Sequence, residues 1–296
     1  MKKLIFTILS VVFLLVSCSK KDDRQTIKIA YLPITHALPL VGLQQNDSLN
    51  VELVKYGSWP ELLDALNTGR VDGASVLIEL AMKAKAQGVG LTAVALGHTD
   101  GNIIVVSEEL KDGSELRGKT FAIPHRASSH YILLQDALAK NGLTIENVNL
   151  VEMAPPEMPS ALASGQIGGY CVAEPFGALG ISVGKGKVLY RSEELWPNSI
   201  CCGLVFNDKS LASKKDQIAK VIEAYYKSGQ NLTDKDEALK QSKKLLSQSD
   251  DVLKQSLSWI NYSDLKITES AYDSLSAKMT KYGILDKTPS YKEFVK

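Results

Sequence analysis

From residue 27 onward, apolar positions alternate between two periods. Residues 27–32, 51–56, 71–77 and 91–96 carry short apolar or every-other-residue runs that predict strands. Between them, residues 37–45, 59–68 and 78–87 carry apolar positions at helical spacing, as with Leu62, Leu63 and Leu66. A second series follows, with strands predicted at 119–123, 148–153, 167–172 and 188–191 and helices at 129–140 and 175–183. Asn141-Gly142 closes the first of those helices, and Pro155-Pro156-Glu157-Met158-Pro159 opens a further one. After Ser210 the pattern is almost wholly helical, with stripes at Ile218, Val221, Ile222, Tyr225 and at Tyr272, Leu275, Met279, Tyr282. Strands alternating with short helices predict parallel α/β sheets, here as two doubly wound lobes followed by helices. Extended stretches at 102–106 and 202–206 are the expected crossings. They put lobe one at 27–104 plus 205–296 and lobe two at 105–204. Ligands of such sheets bind beyond the carboxyl ends of the strands, so two facing sheets make a cleft.

The first 17 residues break this pattern. Lys2 and Lys3 precede an apolar run, residues 4–16, too short for a spanning helix but of signal-peptide length. Leu15-Val16-Ser17-Cys18 looks like a bacterial lipobox, so residues 1–17 read as a lipoprotein signal peptide and Cys18 as the lipidated residue. Residues 18–26 read as a polar tether. The expected location is the cell envelope, lipid-anchored and facing the periplasm, with surface display open as well. Composition is that of a folded protein, 45% hydrophobic and 23% charged over 296 residues with a net charge of +1. Nothing is basic enough for nucleic-acid binding. With Cys18 assigned to lipid, Cys171, Cys201 and Cys202 are an odd number in apolar surroundings, so they read as small packing residues rather than a disulfide framework, unless the Cys201-Cys202 pair faces a ligand.

The P-loop, nucleotide-fingerprint, nucleophile-elbow and H-E-x-x-H patterns are absent. What stands out is position: His36, His98, His125 and His130 all fall where predicted strands run into helices, as do Trp59 and Glu174. In His125-Arg126-Ala127-Ser128-Ser129-His130, serines open a helix whose free N–H groups suit an anion, and Arg126 would add a bidentate contact to a carboxylate or sulfonate. Four histidines also raise a metal site. No pair has the i, i+4 spacing of a helical chelate, so this reading ranks below an anion and no metal ligand is assigned.

Leu116-Arg117-Gly118-Lys119-Thr120-Phe121-Ala122-Ile123-Pro124 and the run from Pro155 to Ala173-Glu174-Pro175 resemble the periplasmic binding lipoproteins for nitrate, bicarbonate, taurine and aliphatic sulfonates. Leu195-Trp196-Pro197-Asn198 and the closing Lys281-Tyr282-Gly283-Ile284-Leu285 are similar as well. The resemblance implies a type II periplasmic-binding-protein fold with a two-strand hinge, no catalysis and no cofactor. It implies a monomer that closes on a small solute and docks on an ABC permease with its ATPase. It also implies that Trp59, Asn102, His130, Pro155 and Glu174 line or support the pocket; His36, His98, Arg126 and Ser129 join them from the strand ends. Relatives carry glutamine at Asn102 and a lysine near Cys201-Cys202. Without that cation a bare nitrate or bicarbonate is poorly compensated on burial, which favours a sulfonate or a heterocycle stacked on Trp59. The chain also resembles the pyrimidine synthase of thiamine biosynthesis, whose clustered cysteines Cys201-Cys202 faintly match; export argues against that enzyme.

Overall fold

A computed structural model describes residues 25–296. The expected signal peptide, Cys18 and all but the end of the expected tether lie outside the described residues. In chain order the strands are β1 (Ile27–Tyr31), β2 (Val51–Lys55), β3 (Gly73–Leu77), β4 (Leu91–Leu96), β5 (Thr99–Asp100), β6 (Asn102–Ser107), β7 (Thr120–Ile123), β8 (Asn149–Glu152), β9 (Gly169–Ala173), β10 (Gly186–Arg191), β11 (Cys202–Asn207) and β12 (Ile260–Asn261). Two five-stranded sheets result, ordered β2-β1-β3-β11-β4 and β10-β6-β9-β7-β8, with β5 and β12 forming a separate short pair. Each sheet takes one strand from the crossing chain. β6 runs antiparallel to β9 and β10 in lobe two, and β11 runs antiparallel between β3 and β4 in lobe one.

The crossings therefore lie a few residues earlier than the sequence pattern places them. Asn102 already belongs to the lobe-two sheet and Cys202 to the lobe-one sheet, where boundaries at 104/105 and 204/205 were expected. Apolar continuity marks a strand but not the sheet that receives it. The first predicted helix also differs. Residues Thr35–Gln45 wind as a 3-10 helix with Pro39 inside it, because proline has no N–H to give and crowds the preceding turn.

The helices follow their apolar stripes. α1 (Trp59–Asn67) buries Leu62, Ala65 and Leu66 completely against the lobe-one sheet, a leucine so buried being worth about 2 kcal/mol. α2 (Ile78–Ala86) continues directly from β3, and α3 (Ser129–Lys140) opens lobe two with Ser128 as its cap, the hydroxyl accepting from Tyr131 N–H. The main core is continuous through both sheets. A satellite of Leu38, Val41, Leu232, Leu246, Leu253 and Tyr262 seats the 3-10 helix on the C-terminal helices. Among the described residues no helix is long and apolar enough to cross a membrane.

The cleft is shut. Thr35 of lobe one donates from both its N–H and Oγ1 to the Glu174 carbonyl, each at 2.9 Å. Ser256 Oγ donates to Glu174 Oε2 at 2.7 Å. Farther out, Asp136 on α3 accepts from Lys278 Nζ at 2.6 Å and from the Tyr282 hydroxyl, both on the helix Glu269–Lys281 or just after it.

Candidate metal centre in the closed cleft

At one edge of the lobe-one sheet, the carboxyl ends of β1 and β4 and the amino end of antiparallel β11 converge on one buried point. His36 follows β1, His98 follows β4, and Cys201 and Cys202 lead into β11. All four are fully buried, and one ligand atom from each lies within 4.8 Å of all the others. A tetrahedral zinc ion with bonds of the usual lengths sets its donors about 3.3–3.8 Å apart, so this group needs only a slight contraction to fit. Close backbone approach makes the convergence possible. Gly97 N–H donates to the Cys202 carbonyl at 2.8 Å, and a Cβ on Gly97 would lie 2.5 Å from the His36 carbonyl oxygen. The His36 and His98 rings consequently lie 3.5 Å apart, centre to centre.

The ring chemistry favours a metal. His36 Nε2 lies 3.1 Å from the Gly101 carbonyl, which can only accept, so Nε2 carries the proton and Nδ1 keeps a free lone pair. Gly101 has φ +76°, a turn that aims this carbonyl at the ring. A carbonyl fixing one nitrogen while the other faces the site is the usual support of a metal-bound histidine. His36 Nδ1, both nitrogens of His98, and both of His130 have no hydrogen-bond partner, although all are buried. Buried polar groups are seldom left unpaired, so the three such atoms on His36 and His98, at the centre of this group, call for a ligand.

Electrostatics agrees. Burial lowers His98 to about 4, with His36 adding to the effect, and lowers His130 to about 4 by the same two causes against an opposing pull from Cys201. Both are neutral at physiological pH and offer lone pairs. Burial alone would raise the Cys201 thiol, but Cys202 Sγ at 3.8 Å and the close His36 and His98 rings bring it well below its ordinary value. Cys202 is pushed up by burial, by Cys201 and by Glu79. The pair therefore holds one thiolate readily, and a cation would draw the second proton off.

The expected site residues separate into groups. His36 and His98 are candidate donors, and so are Cys201 and Cys202, for which the sequence left packing or a ligand contact open. Cys171 does pack, buried in β9. His130 and Ser129, at the head of α3, face this cluster from lobe two: His130 interacts with Cys201 and His36, and Ser129 faces Glu79. Asn102 Oδ1 lies 3.9 Å from Cys201 Sγ, its Nδ2 unpaired. Glu174 supports the closed lobes rather than facing the donors. Trp59 heads α1 with its indole N–H buried and unpaired, and Pro155 is buried in the turn Pro155–Glu157. Arg126 is a correction: it is exposed, and its guanidinium donates to the Leu150 carbonyl at 3.1 Å on β8 rather than entering the buried centre. His125 likewise turns to Glu152. Sequence reasoning missed Glu79, whose carboxylate is fully buried, pushed well up by burial and nearby Cys201, and opposed by Ser129 without closing a bond of ordinary geometry. A lone acid within Val76-Leu77-Ile78-Glu79-Leu80-Ala81-Met82 was the signal available.

Two α/β lobes, each taking a strand from the crossing chain and closing on a buried polar centre, define a periplasmic-binding-protein fold of the two-lobed type. The alkanesulfonate-binding protein SsuA of Xanthomonas axonopodis pv. citri, bound to MOPS, shares that fold at TM-score 0.78 and 19% identity, over 92% of this chain and 98% of that one. The chain belongs to the NMT1-like family, whose model matches residues 20–247. At 41% identity and TM-score 0.88 it is similar to the ligand-binding component of an ABC-type import system from Staphylococcus aureus, solved with zinc bound; the match covers 92% of this chain and 97% of that one. Among curated relatives, the nitrate import ATP-binding protein NrtC of Synechocystis sp. is 28% identical over 59% of this chain, which spans 30% of that protein's length. The Staphylococcus aureus and Synechocystis relatives are named for import, and the Xanthomonas protein for binding.

Proposed function

We propose that this chain is the solute-binding component of an ABC importer and that its solute is a soft or borderline transition-metal ion held by His36, His98, Cys201 and Cys202. The observation that carries the reading is the four-donor cluster with its unpaired, neutral ring nitrogens. Charge supports it as well. Two thiolates balance a divalent ion, so the buried complex is neutral and avoids the cost of an uncompensated charge. Thiolate with imidazole suits zinc and its soft neighbours rather than calcium or magnesium. The zinc in the Staphylococcus aureus relative is consistent with that choice.

The anion expected from the sequence has less to hold it. Among the described residues no lysine or arginine is buried, and an anion in this cleft would meet a thiolate instead. In this reading the lobes close over the captured ion, and the closed form delivers it to a permease driven by its ATPase. Anchoring through lipid on Cys18 at the periplasmic membrane face, as a monomer, belongs to the same proposal.

Metal analysis of protein purified without chelator, followed by Co(II) titration, tests the reading. One equivalent of metal and an intense thiolate-to-cobalt absorption band are expected. A protein that takes up no metal but retains a sulfonate in native mass spectrometry would overturn it.

A further inference from the structure

The four donors share a property that a clamp does not require: all of them are anchored to the same lobe. His36 sits in the helix Thr35–Gln45, packed on the C-terminal helices of lobe one. Gly97, next to His98, bonds to the Cys202 carbonyl, and the Cys201 carbonyl accepts from Ile78 N–H at 2.8 Å at the head of α2. Cys202 itself is in register with Leu77 in the lobe-one sheet. From lobe two, α3 brings His130, buried, with both ring nitrogens unpaired and facing Cys201 and His36. The latch that holds α3 down is separate from all of these: Asp136 with Lys278 and Tyr282.

We propose that the metal site is complete on lobe one, so that His36, His98, Cys201 and Cys202 hold the ion whether the cleft is open or shut, and lobe two seals it with His130. The inference rests on the metal reading given above. Its consequence concerns release. Where donors are divided between lobes, hinge opening itself breaks half of the bonds; here opening breaks none of the four. The ion leaves by exchange onto donors from outside that enter through the face His130 had covered. As each thiolate lets go it takes a proton from water, reversing the proton loss that accompanies binding.

The experiment uses Co(II) with the full-length protein, a chromophoric chelator as competitor, and small-angle scattering to report opening. A double variant, Asp136→Ala with Lys278→Ala, is expected to expand in scattering while its dissociation constant stays within about fivefold of wild type. His130→Ala is expected to keep the thiolate band and a similar affinity, and to lose cobalt to chelator faster, at a rate that keeps rising with chelator concentration. Affinity falling about 100-fold or more as the latch variant opens would overturn the proposal. So would loss of the band in His130→Ala, or a release rate that levels off at an opening rate independent of chelator. Should the latch variant stay compact, His130→Ala decides alone. A wild-type protein without any cobalt band would instead sink the metal reading, and this inference with it.

Discussion

Lobe one and lobe two are built alike, yet they bring different chemistry to the cleft. Lobe one contributes two imidazoles, two thiols and a carboxylic acid from four separated stretches of chain, at residues 36, 79, 98 and 201–202. Lobe two contributes Ser129 and His130 at the start of α3 and Asn102 beside Cys201, and otherwise meets lobe one through ordinary hydrogen bonds at Thr35, Ser256, Lys278 and Tyr282. Affinity and closure are thus assigned to different parts of one fold. A lobe that binds and a lobe that covers can be altered independently, which is what makes the difference testable.

The sharpest break is at the donors. Replacing Cys201 and Cys202 by serine removes both thiolates and is expected to weaken metal binding more than about 100-fold, beyond what loss of a supporting residue costs, as read by chelator competition. Next comes Glu174, which joins the lobes. Burial pushes its carboxyl from 4.5 to about 7, although Ser256 and Ala178 donate to it. An acid raised on folding stabilises below its unfolded value and loses that contribution as pH rises through the folded one. Relative to wild type, Glu174→Gln should therefore gain of the order of 3 kcal/mol in unfolding free energy between pH 4.5 and 7 and level off above, measured by urea denaturation across that range. A flat difference would show that Glu174 does not titrate there. The latch is weaker still: Asp136→Asn, with the pair near the surface, should disfavour closure by about 1 kcal/mol or less, visible as a modest scattering expansion. Arg126→Ala should leave metal affinity unchanged, because its guanidinium is spent on Leu150; a measurable loss would restore Arg126 to the cleft.

Much of this architecture was legible in the sequence. The alternating periods located both sheets, and α3 begins and ends where its apolar spacing and Asn141-Gly142 said it would. Strand pairing was not legible: β6 and β11 are apolar runs that would suit either sheet, and only three-dimensional packing assigns them. His36, His98 and His130 were legible by position, since the ends of parallel strands gather at one edge. The cysteines were not. A thiol amid Ile200 and Leu204 looks like any small packing residue until the neighbouring strand end brings two imidazoles against it. Arg126 misled because a basic side chain beside a helix start carries the same signature whichever way it turns.

The position of β11 in the middle of the lobe-one sheet has a consequence for biogenesis. Its partner in register, Leu77, precedes it by more than a hundred residues, with the whole of lobe two synthesised between them. Until that last strand emerges, β3 and β4 lack the neighbour that joins them, and half of the donor set does not yet exist. Pairings so distant along the chain form slowly. The lobe-one sheet, and with it the full set of candidate donors, is therefore assembled only late in synthesis.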